Sequence, residues 1–459
     1  MNNATRPNSG LDGFASNEQR TQHIASTLKR RRNKEMRFRF LGILAVTISI
    51  GLVAVLFGSI LAKGIPSFWQ ATFVLDVDFS PELVKLESPK PVKEPNESPA
   101  RYQDRVNEWA NQLNFINWNK LLLESVAKVL PESTENPRAV LEMFASSTRF
   151  DLRNMVIENP DIIGKTERLD LVASANVDVW IKGNIDRSLP DNQQQISADA
   201  RKWADQLYAE GVIENMFSTV LFTNSDSRSS PATAGLLGAF VGSLMMMVVV
   251  ILLAVPVGVA AAVYLEEFAP QNKFTDFIEV NINNLAAVPS IVFGLLGASV
   301  FIIMLNLPMS APVVGGLVLS LMTLPTVIIA TRASLKAIPP SIREGALALG
   351  ASRVQAITDH VLPLARPGIL TATIIGVAQA LGETAPLLLI GMSAFVANVP
   401  STPLDPSTAL PVQIFLWNGN ELRNFFEGRT SAAIIVLLVL MLTLNSLAIW
   451  LRKKFEIRW

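Results

Sequence analysis

Six apolar stretches, each near or above the length that crosses a bilayer, restrict this chain more than any other feature. They are 38–62, 234–265, 280–305, 313–331, 370–395 and 431–451. A hydrocarbon layer about 30 Å thick is spanned by about 20 apolar residues in a helix. Backbone groups in that layer find no water, so each segment must satisfy its own hydrogen bonds, which a helix does. Composition agrees: 50% of residues are hydrophobic and only 17% charged, with a mean hydropathy of +0.34, unlike a soluble domain. The reading is an all-α membrane protein with six transmembrane helices.

Charge sets the expected orientation. Lys29, Arg30, Arg31, Arg32, Lys34, Arg37 and Arg39 precede the first stretch, and basic residues beside a span favour the cytoplasm. Residues 1–37 then form a cytoplasmic tail. Six crossings return the C-terminus inside, where Arg452, Lys453, Lys454 and Arg458 agree. The loop 332–369 also falls inside and carries Arg332, Lys336, Arg343, Arg353 and Arg366, whereas the outer loop after 395 holds only Arg423 and Arg429. The first stretch has an apolar core longer than the roughly 7–15 residues of a signal peptide and no clear cleavage site, so 38–62 reads as an uncleaved anchor.

Residues 63–232 are polar and long enough to be a domain of their own, on the outer side. Trp69, Trp109, Trp118, Trp180 and Trp203, with Leu121, Leu122, Leu123, Leu169, Leu171 and Val172, supply a core. Segments 102–113 and 198–215 read as amphipathic helices, 168–181 as a strand, and 88–99 and 223–231 as connectors. The expectation is an α+β domain. Gly164-Lys165-Thr166 ends like a phosphate loop, but Asn159 stands where the motif needs its first glycine, so no nucleotide site is read.

The most ordered polar segment is Glu344-Gly345-Ala346-Leu347-Ala348-Leu349-Gly350, followed by Leu362-Pro363. Pro339-Pro340 stop the preceding segment, and Ser341 with Glu344 has the spacing of a capping box. Gly350 suits the left-handed position that ends a helix. Ser352 and Gln355 offer a second capping pair, for a helix running toward Leu362-Pro363. The expectation is helix, glycine elbow, helix. The first helix would show Ile342, Ala346 and Leu349 on one face, able to dock in a partner's groove.

This pattern resembles the "EAA" loop in the permease subunits of ABC importers: Glu-Ala-Ala, three residues, Gly, nine residues, Ile, one residue, Leu-Pro. Glu344, Ala346, Gly350, Leu362 and Pro363 match, while Gly345 replaces the first alanine and His360 the isoleucine. Residues 283–294, NNLAAVPSIVFG, and 382–388, GETAPLL, resemble the phosphate-importer permeases of the PstA type. All three matches lie between 234 and the C-terminus. The resemblance implies a MetI-like, type I importer bundle at 233–459, in a bacterial inner membrane. It implies an ATPase of the PstB type, docked through Glu344, Gly345, Ala346, Gly350, Leu362 and Pro363, a second permease of the PstC type and a periplasmic phosphate-binding protein. Some such permeases carry N-terminal extensions. Here the outer domain reads equally as a docking or gating element for the binding protein and as a stabilising insertion.

Within the spans, Glu383 is the outlier, since a carboxylate at membrane depth costs on the order of 2.5–3.5 kcal/mol. Gln379 lies one turn earlier, Thr384 is adjacent, and Gly382 and Pro386 loosen the backbone. A translocation-path site is favoured over a structural carboxylate. Ionised, Glu383 would repel phosphate, so it must be paired with an arginine or protonated; the resemblance puts an arginine at the position of Gln379. Asn281, Asn283 and Asn284, with Ser290 after Pro289, would line an exit vestibule or cap a helix. Arg332 would attract anions or serve as an ordinary anchor. Two histidines, His23 and His360, and no cysteine argue against a transition-metal site. Without a phosphate loop the chain is no ATPase, and no cofactor or nucleic acid is expected, only membrane lipid and protein partners. Transport of another anion, sulfate or molybdate, is the alternative; a membrane sensor is weaker, because the inner side offers only short loops.

Overall fold

The computed structural model describes residues 17–455. Residues 1–16 of the expected tail 1–37, and Arg458, lie outside the described residues. The chain forms two bodies, 1–62 and 63–459. The first is described through α1 (Asn17–Gly64), whose helix runs unbroken from the basic cluster through the first apolar stretch.

The second body opens on a three-stranded antiparallel sheet in the order β2-β1-β3, formed by β1 (Trp69–Asp78), β2 (Thr166–Val172) and β3 (Ile213–Phe217). β1 pairs on both sides, Thr72 lying opposite Val172 and Glu214. Its Phe73, Leu75 and Val77 are buried, as β-branched and aromatic residues on a covered pleat should be. Around the sheet run α2 (Pro99–Gln112), α3 (Trp118–Val129), α4 (Pro137–Met143), α5 (Thr148–Glu158), α6 (Ala175–Ile181), α7 (Ala198–Ala209) and α8 (Val220–Thr223). Trp109, Trp118, Trp180 and Trp203 enter the core, but Trp69 remains 44% exposed. The expected strand 168–181 is half strand and half helix: Ser174 caps α6 by accepting from Val177 N–H, which ends the extended run. Likewise 198–215 is α7 followed by β3, parted at Gly211, whose φ of +75° allows the reversal.

The transmembrane region continues with α9 (Leu237–Val263), α10 (Lys273–Ala286), α11 (Ser290–Gly297), α12 (Pro312–Lys336), α13 (Pro340–Ala348), α14 (Arg353–Gln355), α15 (Leu362–Gly382), α16 (Ala385–Leu387), α17 (Leu410–Asn418) and α18 (Arg423–Phe455). Among the described residues five helical runs are long and apolar enough to span: 26–68, Leu237–Phe268, Pro312–Lys336, Arg353–Gly382 and Arg423–Lys454. A sixth is a pair, Lys273–Ala286 and Ser290–Met304, bent by 100°. The expected span 280–305, interrupted at Pro289-Ser290, is thus broken there, because Pro289 has no amide to continue the ladder of α10. The expected span 370–395 is displaced: its helix starts at Arg353 and stops at Gly382. It passes Pro363 because a π turn, Ala356–Val361, widens the register just before the ring. Close packing depends on small residues. A side chain at Gly316 would put Cβ 2.5 Å from Val249, where α12 crosses α9.

One continuous core joins the sheet domain to the bundle. At the junction the first residues of β1 are pinned by buried polar groups. Arg429 of α18 donates to Gln70 Oε1 at 2.6 Å, Ser218 donates to the same oxygen at 2.9 Å, and Gln70 Nε2 donates to Ala232 O at 2.7 Å. Asp178 accepts from Ala71 N–H at 2.8 Å and from Lys182 at 2.7 Å. Burial pulls the Lys182 ammonium below its ordinary range and Asp178 opposes that shift. Asp178 is therefore the counter-charge for the half-buried Lys182, with which it pairs at 2.7 Å. Removing it takes the counter-charge from Lys182 and the acceptor from Ala71 N–H, and Asp178→Ala is expected to destabilise the protein by about 3–5 kcal/mol. Lys202→Ala, which breaks an exposed pair with Glu132, should cost under about 1 kcal/mol. Thermal unfolding of the purified variants checks the difference.

Candidate functional site: a helical elbow and a broken span

α13 begins two residues earlier than the capping-box spacing implies. Its N-cap is Pro339, Pro340 holds the first helical position, and no side chain caps the end. The Ser341–Glu344 capping box therefore does not form: proline at the first position needs no acceptor and has the right φ already. The glycine elbow does form. Gly350 has φ +90°, its N–H donates to Leu347 O at 3.0 Å, and Ala351 N–H donates to Ala346 O at 3.1 Å. These two bonds are the Schellman closure of a helix. The second capping box is present as well, with Ser352 N–H donating to Gln355 Oε1 at 2.9 Å and Gln355 N–H to Ser352 Oγ at 3.2 Å.

The apolar face of α13 points the other way from the one expected to dock. Ala346 is buried, and Ile342 packs on the cluster of Leu335, Ile338, Val361 and Ala365. Leu362 and Pro363 are half-buried beside it. The free surface belongs to Leu349, 92% exposed, with Leu347, Val354 and Glu344. A Cβ at Gly345 or Gly350 would meet nothing within 4 Å.

What holds the elbow is an acidic pair that the sequence reading passed over. α9 ends in a π turn, Tyr264–Phe268, which carries Glu266 and the buried Glu267. Arg343 of α13 grips Glu267 with both edges of its guanidinium, Nη2 to Oε1 at 2.5 Å and Nε to Oε2 at 3.0 Å. It also donates to Ile338 O at 2.9 Å and Leu335 O at 3.0 Å. The Glu267 hydrogen bonds hold the Arg343 guanidinium above its ordinary range. Arg353, at the start of the next helix, donates to Glu267 O at 2.5 Å and lies 5.7 Å from the centre of the Phe268 ring. Arg332 bridges Glu279 of α10 at 2.6 Å and Glu266 at 3.2 Å. Its guanidinium is thus committed to two carboxylates. The available signal was Glu266-Glu267 itself, two acids directly after an apolar stretch and facing a loop rich in arginine.

The second cluster lies at the break in the fifth span. Glu383 is extended, with φ −76° and ψ 133°, so it stands just beyond the last turn of α15. It therefore does not share a helical face with Gln379, which is exposed, while Glu383 and Thr384 are half-buried. The break is packed on α11: a Cβ at Gly294 would lie 2.7 Å from Pro386 Cα. The two segments NNLAAVPSIVFG and GETAPLL thus meet. The far end of the broken segment is fixed too, as Ser310 donates Oγ to Gly391 O at 2.6 Å and N–H to Ile390 O at 3.1 Å. Ser290 is half-buried at the start of α11, and Asn283 and Asn284 are exposed on α10, across the bend. Among the described residues no hydrogen bond joins Glu383 to Gln379, Asn283, Asn284, Ser290 or Arg332.

Truncating Arg343 leaves Glu267 buried without its partner. Arg343→Ala should cost about 3–5 kcal/mol, and Lys336→Ala, whose 3.7 Å pair with Glu266 is exposed on the lysine side, under about 1 kcal/mol. Denaturation midpoints of the two variants in detergent measure the contrast.

Comparison with known proteins follows this division of the chain. Residues 233–458 match the family described as binding-protein-dependent transport system inner membrane component. Residues 25–191 match a domain of unknown function, DUF3333. The phosphate transport system permease protein PstA of Yersinia pestis is 31% identical over 241 residues, 52% of this chain and 79% of that protein. PstA 1 of Mycobacterium tuberculosis is 34% identical over 227 residues, 48% of this chain and 70% of that protein. A solved structure of the inward-facing MetNI methionine ABC transporter aligns with 47% of this chain and 94% of its own, at 16% identity and a TM-score of 0.37. A family of this description works with a solute-binding protein and an ATPase in general, and its members are permease subunits, not enzymes. The chain belongs to the binding-protein-dependent transport permeases, among their PstA relatives, as a multi-pass inner-membrane subunit.

Proposed function

We propose that this permease carries inorganic phosphate inward, past the break at Glu383, and takes its drive from an ATPase seated on the elbow. The single observation that carries the reading is a half-buried carboxylate at a non-helical break, inside the segment GETAPLL and packed on NNLAAVPSIVFG. Irregular backbone at membrane depth is tolerated where it lines a cavity or is buried in protein. The partners are a PstC-type permease, PstB-type ATPase subunits and a periplasmic phosphate-binding protein. With six crossings both termini and the elbow lie in the cytoplasm, and 63–232 forms the outer domain between the anchor 38–62 and the permease region 233–459.

Leu347, Leu349 and Val354 meet the ATPase, and Glu344, Gly345 and Gly350 shape that surface. Ala346, Leu362 and Pro363 support it from beneath. ATP-driven closure moves the elbow, and the Arg343–Glu267 clamp passes the motion to α9. Glu383 acts either neutral, as a hydrogen-bond donor to phosphate, or paired with a cation from the second permease. Thr384 and Ser290 add hydroxyls nearby, Gln379, Asn283 and Asn284 add amides, and Arg332 holds the inner mouth through its two carboxylate partners.

Glu383→Gln should reduce phosphate uptake in cells at least about tenfold, equivalent to about 1.4 kcal/mol, with normal amounts of assembled protein in the membrane. Uptake at the parent rate contradicts the reading, and uptake unaffected by phosphate but competed by sulfate reassigns the cargo. Gly350→Val should uncouple ATP hydrolysis from uptake, because a side chain at φ +90° is disfavoured by about 1–2 kcal/mol or more and must re-angle the elbow. Retained coupling contradicts the role given to the elbow.

A further inference from the structure

The transport reading leaves the outer domain without chemistry of its own, yet one recess there is built from donors. It lies between the start of α3 and the start of α5 and has a volume of about 250 Å³. Asn114, Asn117 and Asn119 line one side, and Arg149, Phe150 and Arg153 the other. No carboxylate contributes to the lining. Neither arginine forms an ion pair among the described residues. Arg149 is exposed and spreads over the Phe150 ring, 4.6 Å from its centre. Arg153 gives one Nη to Asn154 Oδ1 at 3.4 Å and the other to Ala110 O at 3.5 Å. Its Nε is buried and has no partner.

These facts set the class of ligand. The two Nη contacts of Arg153, at 3.4 and 3.5 Å, are at the outer limit of hydrogen bonding, and an anion is the group that satisfies such guanidinium donors most strongly. Ile116 and Trp118 complete the lining, and two arginines with nearby amide donors, and no acid in the lining, form a site that repels cations and attracts anions. The start of α3, with no acid in its first turn, reinforces this, since helix N-termini favour negative charge. Asn117 occupies the N-cap of α3 without using its side chain to cap it, leaving that amide free for a ligand. The volume falls below the roughly 300–1,000 Å³ of pockets for larger organic ligands. A small oxyanion fits the recess.

We propose that this recess in the outer domain is an oxyanion-binding site, for phosphate and its tetrahedral analogues, separate from the path through the membrane. Arg149 and Arg153 supply the charge, and the asparagine amides supply orientation. The site stands whether or not Glu383 lies on the transport path, and its test has its own readout.

The test is hydrogen–deuterium exchange on the full-length chain, assembled with its permease and ATPase partners in lipid nanodiscs and without a solute-binding protein. Millimolar inorganic phosphate should slow exchange in peptides covering 113–120 and 147–154, and sodium chloride at matched ionic strength should not. Arg149→Ala, at an exposed position, should abolish the protection while leaving the rest of the exchange pattern intact. Arg153→Lys should weaken it, because lysine keeps the charge and loses the planar donors. Sulfate should protect the same peptides and acetate should not. Absence of protection at millimolar phosphate, equal protection by chloride, or full protection in Arg149→Ala overturns the proposal. Protection by an acidic peptide but not by phosphate overturns it in favour of a protein-docking surface.

Discussion

The grip of Arg343 on Glu267 is the interaction on which the rest of this permease depends. A carboxylate 7% exposed in its side chain cannot stay charged without a partner, and the penalty for stranding it is several kcal/mol. Here the partner is bidentate, and the same arginine also closes the carbonyls of Leu335 and Ile338 at the end of α12. One side chain thus joins the last turns of two membrane helices to the helix between them and the elbow. Arg353 repeats the connection from beyond Gly350 by bonding the Glu267 carbonyl. Force applied at the exposed Leu349 reaches α9 and α12 through charged hydrogen bonds, which keep their geometry better than apolar contact alone.

Two further constraints build on that frame. α12 crosses α9 at glycine, and α11 meets the broken fifth span at another, so helices pack closely at Gly316 and at Gly294 against Pro386. The sheet domain is equally firm at its root. Its central strand is bonded to Arg429 of the last span and to Ala232 before α9, and its core is continuous with that of the bundle. The sheet domain therefore rides on the spans and is no tethered appendage. A rigid root lets events at its surface bear on α18, and the reverse.

Much of this was legible in the residues, for identifiable reasons. Apolar length marked the membrane helices, because lipid leaves the backbone one solution. The glycine at 350 and the Ser352–Gln355 pair were legible because caps are local, decided within a few residues. The Ser341–Glu344 box failed for an equally local reason, the proline at 340. Span ends were harder. Pro363 stands inside a continuous helix because a π turn accommodates it, and no pattern of apolar residues announces a π turn. The direction of α13 was missed because Ala346 and Leu349 suit either side of a small helix, and only the position of Ile338 and Val361 decides which is covered. Glu267 and Arg429 were missed because their partners are distant in sequence, 76 residues away for Glu267 and Arg343 and 359 for Arg429 and Gln70. Long-range pairing of charges leaves no periodic trace.

The central claim is that the elbow and the end of α9 move as one body. The chain has no cysteine, so spin labels at Leu349→Cys and Tyr264→Cys report on that pair without background. Double electron–electron resonance on the assembled importer would compare nucleotide-free and ATP-trapped states. The account predicts one narrow distance distribution, the same in both states, and a broadened one when Arg343→Ala is added. A distance that shifts with nucleotide while Arg343 is intact, or that is indifferent to its removal, would contradict the account.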